Sequence, residues 1–301
     1  MIAAVLGICF KSLLLTLGTI LPLYELTRSL LLYLFSRWTQ PDFLPSLALP
    51  DGVPEAGTTL AAIALLAADP KQAADHAGLL ETYALANRSA GSNVLYGLLA
   101  DLPDAQSETI ETDTPILCAM QEKIDALNAK YGPRFVLIWR KRRYNAADGV
   151  WMAYERKRGA IGAVAAFACG HADPDNTPII YGLPPERVRK VRYLVALDAD
   201  TAPEPDAIRT MAGAMLHPLN RAVVASDGAS VVSGYGILQP HISLDLAAAN
   251  ATLFSRIFAG QGGRCLPFLV HPFMDTCVRG IFPLDKQPEE GACRSDLFRG
   301  M

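Results

Sequence analysis

V-R-Y-L-V-A-L-D-A-D-T-A-P-E-P-D, residues 191–206, decides the fold. Tyr193 to Leu197 is apolar without polar alternation, the mark of a strand covered on both faces, as in a parallel sheet. The run stops on Asp198-Ala199-Asp200. Two carboxylates one residue apart at the C-terminal lip of a buried strand lie where open α/β sheets bind ligands. There they can hold a hard divalent cation that bridges to diphosphate oxygens, as a nucleotide-sugar transferase requires. The bland alternative is that Asp198 and Asp200 polarise a strand end and cap the next helix. The apolar strand before them and the Pro-bounded helix after them, Ala207 to Leu216, favour the ligand-binding reading.

Working back from that strand, T-T-L-A-A-I-A-L-L from Thr58 is a strand, and Asp69-Pro70 is a helix start. N-V-L-Y-G-L-L-A-D is a second strand ending on Asp101, a helix is expected over about Thr114 to Tyr131, and a third strand over Arg134 to Trp139. Strand, helix, strand, helix, strand signals a parallel sheet with crossover helices. Asp101 then falls at the same lip as Asp198 and Asp200. Next comes R-K-R-R-Y-N-A-A-D-G-V-W-M-A-Y-E-R-K-R-G-A, residues 140–160, with seven Arg or Lys. A solvated basic face and a nucleic-acid surface are the alternatives, but a run between two sheet strands in an acidic chain fits a phosphate-facing loop and helix start better. Residues 171–186 are a loop before the central strand; His171, Asp173 and Asp175 in it have the look of a metal cluster, but a polar loop is the preferred reading. Downstream, His217 ends a helix, R-A-V-V-A-S and S-G-Y-G-I-L-Q-P are two short strands, and Gly234 and Gly236 permit close backbone approach.

Composition limits the class. The 301 residues are 51% hydrophobic and 19% charged with net charge −3, a globular chain without a general pull toward nucleic acid. Six cysteines (9, 118, 169, 265, 277 and 293) lack paired spacing, so reduced thiols in a cytosolic setting are expected. At the N-terminus, Ile2 to Leu23 reaches the roughly 20 apolar residues of a membrane span by tolerating Lys11, a cost of about 2.5 to 3.5 kcal/mol on insertion scales. Leu23 to Trp38 is amphipathic and suits an interface. A spanning helix followed by an interfacial helix is expected, with a helical hairpin or a buried soluble pair as alternatives. Arg28 and Arg37 place the body on the cytoplasmic side. Four prolines make residues 39–57 a linker, leaving 58–263 as the globular domain and 264–301 as a tail.

Six blocks in order resemble the glycosyltransferase domain of cyclic β-1,2-glucan synthases. They are L-L-A-D-L-P-D-A (98–105), A-L-N-A-K-Y-G (126–132), G-V-W-M-A-Y-E-R-K-R-G (149–159), V-R-Y-L-V-A-L-D-A-D-T (191–201), H-P-L-N-R (217–221) and G-Y-G-I-L-Q-P (234–240). The resemblance implies a GT-A-like, Rossmann-like α/β fold, UDP-glucose as donor, a divalent metal (Mg or Mn) and inverting transfer to a glucan acceptor at the inner membrane. It places Asp101 on the uridine side, Asp198 and Asp200 on the metal diphosphate, and Arg156, Lys157 and Arg158 on the phosphates or the acceptor channel. The chemistry asks for a neutralised leaving diphosphate and a carboxylate base. Departures from the pattern are Ala160, His241 and everything after about Gly263. The base is unassigned, since Asp275 matches nothing well enough. The expectation is a donor-binding half that does not turn over alone and has a separate polypeptide as a possible partner. The alternatives are a non-catalytic nucleotide-sugar-binding or membrane-partner subunit, and a remnant without a stable fold.

Overall fold

Four continuous apolar runs dominate the chain, and each becomes a strand with both faces covered. The structure, a computed structural model, describes residues 13–38, 44–171, 176–199, 203–225, 231–239, 250–258 and 280–283. It divides into two units, residues 1–43 with 241–273 and residues 44–240 with 274–301. In the first unit, helix α1 (Leu13–Trp38) contains Pro22 and the ion pair Arg28–Glu25. The expected division at Leu23 into two helices is corrected: α1 runs through it, because the surrounding leucines favour helix and an interior proline can kink a helix without ending it. Residues 2–12 of the expected span lie outside the described residues. Among the described residues no helix is long and apolar enough to cross a membrane.

The second unit carries, in chain order, β1 (Thr59–Leu66), α2 (Pro70–Ala86), β2 (Val94–Asp101), α3 (Asp113–Tyr131), β3 (Phe135–Trp139), β4 (Arg143–Asn145), β5 (Val150–Met152), α4 (Arg156–Cys169), β6 (Ile179–Tyr181), α5 (Pro185–Arg189), β7 (Tyr193–Asp198), α6 (Ala207–Leu216), β8 (Val223–Val224), β9 (Val231–Ser233) and β10 (Gly280–Pro283). The main sheet has the order β10-β7-β1-β2-β3-β6. Its four central strands are parallel, and β6 and β10 close the edges antiparallel. This is a mixed α/β, mostly parallel, Rossmann-like sheet. Side chains alternate between its two faces. Ala61, Ile63, Tyr96, Leu98, Phe135, Leu137, Val195 and Leu197 pack with α2, α3 and α6. Leu60, Ala62, Leu95, Leu99, Val136, Ile138, Leu194 and Ala196 pack with α4 and α5.

Local chemistry sets the ends. Asp69 accepts the Gln72 N–H at 2.9 Å and Pro70 opens α2. Asn128 ties α3 to both neighbouring strands: its amide donates to the Phe135 and Gly182 carbonyls and its oxygen accepts from the Arg134 and Phe135 N–H groups. Residues 44–49 lie against the body ahead of a turn at Pro50-Asp51, with Leu47 N–H donating to Gly213 O and Arg209 donating to Leu49 O.

Three expectations are refined. Residues 171–186, read as loop, contain β6 and the start of α5, because Ile179-Ile180-Tyr181 finds the free edge of β3. The second short strand lies at residues 231–233, ahead of the stretch expected from Ser233. Cys169 is disulfide-bonded, against the expectation of reduced thiols, and Cys118 is free.

Tyr96 is fully buried, and burial pushes its hydroxyl up to about 12 against the opposing pull of Arg134. A folded value above the unfolded value of about 10 means stability that is intact below that pH and lost as pH rises toward 12. Tyr96→Phe should therefore flatten the alkaline limb of a melting-temperature profile between about pH 10 and 12, removing at most about 3 kcal/mol of pH dependence. An unchanged limb would show that another group controls it.

Candidate functional site at the C-terminal lip of the sheet

The parallel register aligns Leu66 of β1 with Asp101 of β2, and Ala64 of β1 with Asp198 of β7, so the two carboxylates end the strands on either side of β1 at one edge. They behave differently there. Asp101 is 4% exposed, and both its oxygens accept from Arg140, from Nε at 3.0 Å and Nη2 at 2.6 Å. Burial raises the Asp101 carboxyl above its ordinary value, against the pull of Arg140. Its side chain is turned toward Arg140 and nearly closed to solvent. Asp198 is about a quarter exposed and pairs with Lys157 from the first turn of α4.

The approach of α4 explains that meeting. Glu155 and Arg156 adopt left-handed backbone angles, φ 58° and 46°, which swing the chain from β5 into the helix. Arg140 spans the turn, its Nη1 donating to the Tyr154 carbonyl and its Nη2 to the Arg156 carbonyl, both at 3.1 Å. Gly159 sits against it so closely that an added Cβ would lie 2.1 Å from the Tyr154 oxygen and 2.6 Å from Arg140 Nη1. Arg156 reaches back to Asp104 in the loop after β2, at 2.9 Å. Arg158 pairs with Glu155 within its own turn and holds that carboxyl below its usual range.

A second buried pair holds the loop itself. Arg142 donates to both oxygens of Asp113 at 2.6 and 2.8 Å, and to the Pro103 and Glu108 carbonyls. Ala105 and Trp151 exchange backbone hydrogen bonds at 2.9 and 2.8 Å, which fixes the β4–β5 hairpin to the same loop. The edge therefore joins a strand-end carboxylate and a cationic helix start.

The chain is 34% identical over 250 residues to the cyclic beta-(1,2)-glucan synthase NdvB of Rhizobium meliloti (strain 1021). This chain is related to cyclic β-(1,2)-glucan synthase. The match covers 81% of the chain and 8% of the length of that protein, so it concerns one segment of a much longer relative. No protein-family model matches the chain.

Of the residues singled out by sequence, the fold brings Asp101, Arg156, Lys157 and Asp198 to one edge. Arg158 stays in a local pair, and Asp200 lies outside the described residues, as do Asp173, Asp175 and Asp275. Among the described residues no group of three His, Cys, Asp or Glu could hold a metal. The described donors therefore do not by themselves fit a metal, and such a site would need Asp200. His217 accepts the Leu219 N–H at Nδ1 and caps the short turn after α6. Sequence reading missed Arg140, Arg142, Asp104, Asp113 and Gly159. The signal for the arginines was present: 140 and 142 are buried while 141 and 143 are exposed, the period-two continuation of β3.

Proposed function

We propose that the chain is the donor-binding part of a GT-A-type glucosyltransferase, holding UDP-glucose at this lip for transfer to a β-1,2-linked glucan. The observation that carries this reading is the meeting of Lys157, from the start of α4, with Asp198, from the end of β7. Helix N-terminal N–H groups and their partial positive charge favour a diphosphate, and Lys157 and Arg156 supply full charges beside them. Charge that develops on a leaving UDP is best stabilised by cations already in place. Asp198, with Asp200, would hold a magnesium or manganese ion, which when bound adds further neutralisation of the diphosphate. Similarity to the glucan synthase supports glucose as the sugar and a glucan as the acceptor. The exposed apolar side chains of α1, Leu26 and Leu30 among them, suit a membrane surface.

Titration calorimetry with UDP-glucose and Mg2+ or Mn2+ tests the reading. The intact chain should bind, Asp198→Ala should abolish binding, and Lys157→Ala should weaken it about tenfold or more. Absence of binding by the unmodified chain, or equal binding by Asp198→Ala, sinks it.

A further inference from the structure

We infer that Arg140 is the positioning residue of the donor site: its guanidinium sets the start of α4 relative to β2 and β7, and so places Lys157 and the helix N–H groups for the diphosphate. The inference rests on the UDP-glucose reading above. Arg140 is only 4% exposed, too buried to meet a ligand itself. Its Nε and Nη2 hold Asp101 at the end of β2, and Nη1 and Nη2 hold the carbonyls of Tyr154 and Arg156 on either side of the left-handed turn. Nη1 also reaches Asn176 Oδ1 at 3.5 Å in the segment leading to β6. One planar group thus joins three separate segments, a task that suits a rigid fork of five donors and not a lysine.

The turn needs that hold. Two consecutive non-glycine residues at positive φ are costly and persist where surrounding contacts fix them. Lys157 follows directly, so any relaxation of the turn displaces the ammonium from Asp198. Gly159 leaves room for Arg140 and nothing more, which makes the helix start and the guanidinium a matched pair. The neighbouring Arg142–Asp113 pair is equally buried and equally bidentate, yet it holds carbonyls of the loop after β2 and none of α4. It is the natural control for a loss of stability alone.

The test uses the full chain and UDP-glucose with Mg2+ as probe, comparing Arg140→Lys, Asp101→Asn and Arg142→Lys. All three should melt lower than the unmodified protein. Arg140→Lys should bind about tenfold or more weakly and exchange the amides of residues 159–161 faster. Arg142→Lys should bind within about twofold of the unmodified protein. If Arg140→Lys fails to fold, the isosteric Asp101→Asn, which loosens the same fork, decides by the same two readouts. Equal binding by the Arg140 and Arg142 variants overturns the inference. If the unmodified chain does not bind the probe, the donor reading is what has failed. The exchange arm then decides alone, and unchanged exchange at residues 159–161 in Arg140→Lys overturns the positioning role.

Discussion

Replacing Arg142 with alanine is expected to lower the unfolding free energy by about 3 to 5 kcal/mol, the range for removing one partner of a buried ion pair. The change strands acceptors on three residues at once. Asp113 is left as a buried carboxylate whose two oxygens have lost their guanidinium, and the Pro103 and Glu108 carbonyls lose a donor. An unmade buried hydrogen bond costs more than a made one contributes. In urea the midpoint should fall with little change in slope, since the surface exposed on unfolding is nearly the same. Acid adds a second signature. The Arg142 hydrogen bonds hold the Asp113 carboxyl below its ordinary value, with a backbone N–H from Ile110 helping. A lowered folded value means stability that is present above the unfolded carboxylate value and is lost as pH falls through the folded one. Without Arg142 the lowering is left to the Ile110 N–H against burial, so the share of the acid limb that Asp113 supplies should shrink, and the gap between Arg142→Ala and the unmodified protein should narrow as pH falls. Arg142→Ala combined with Asp113→Asn should cost less than the two singly. A cost below about 1 kcal/mol for Arg142→Ala would place the pair among contacts that merely accompany the fold.

That arginine also shows where sequence reading stopped. The strands β1, β2, β3 and β7 were legible because each is an apolar run bounded by proline, glycine or aspartate, and a run covered on both faces needs no partner to be recognised. That Asp101 and Asp198 end their strands at the same lip followed from the parallel crossovers. The direction of the Asp101 side chain did not, because it depends on Arg140, which is 39 residues away. A basic run normally reads as a solvated face, and only the extended backbone after β3 turns alternate arginines inward. The edge strands failed for a related reason. Three residues at β6 and four at β10 are too short for periodicity, and their place is fixed by pairing with β3 and β7. Of the two glycines expected to allow close approach, Gly234 does so, with φ +72° and an added Cβ 2.0 Å from the Arg221 oxygen, while Gly236 stands in ordinary contact.

Gly159→Ala should be the most damaging single methyl that the donor edge can receive. Its Cβ would fall 2.1 Å from the Tyr154 carbonyl oxygen and 2.6 Å from Arg140 Nη1. Neither neighbour can yield freely: the carbonyl belongs to the turn that Arg140 holds, and Arg140 is fastened to Asp101. The first turn of α4 must therefore move as a body, taking Lys157 off Asp198. Overpacking of a fixed site costs about 1 to 3 kcal/mol and sometimes more, and the upper end is expected because backbone is the obstacle. UDP-glucose binding should be lost along with it. Gly162, three residues later on the same helix, separates this effect from helix propensity, because an added Cβ there meets nothing within 4 Å. Gly162→Ala should leave binding intact and stabilise the chain by about 0.5 to 1 kcal/mol. Calorimetric binding and urea unfolding of the two variants, measured side by side, decide the matter. If Gly159→Ala binds and unfolds as Gly162→Ala does, the tight contact between the helix start and Arg140 does not govern this edge, and the geometry ascribed to the donor site must be given up with it.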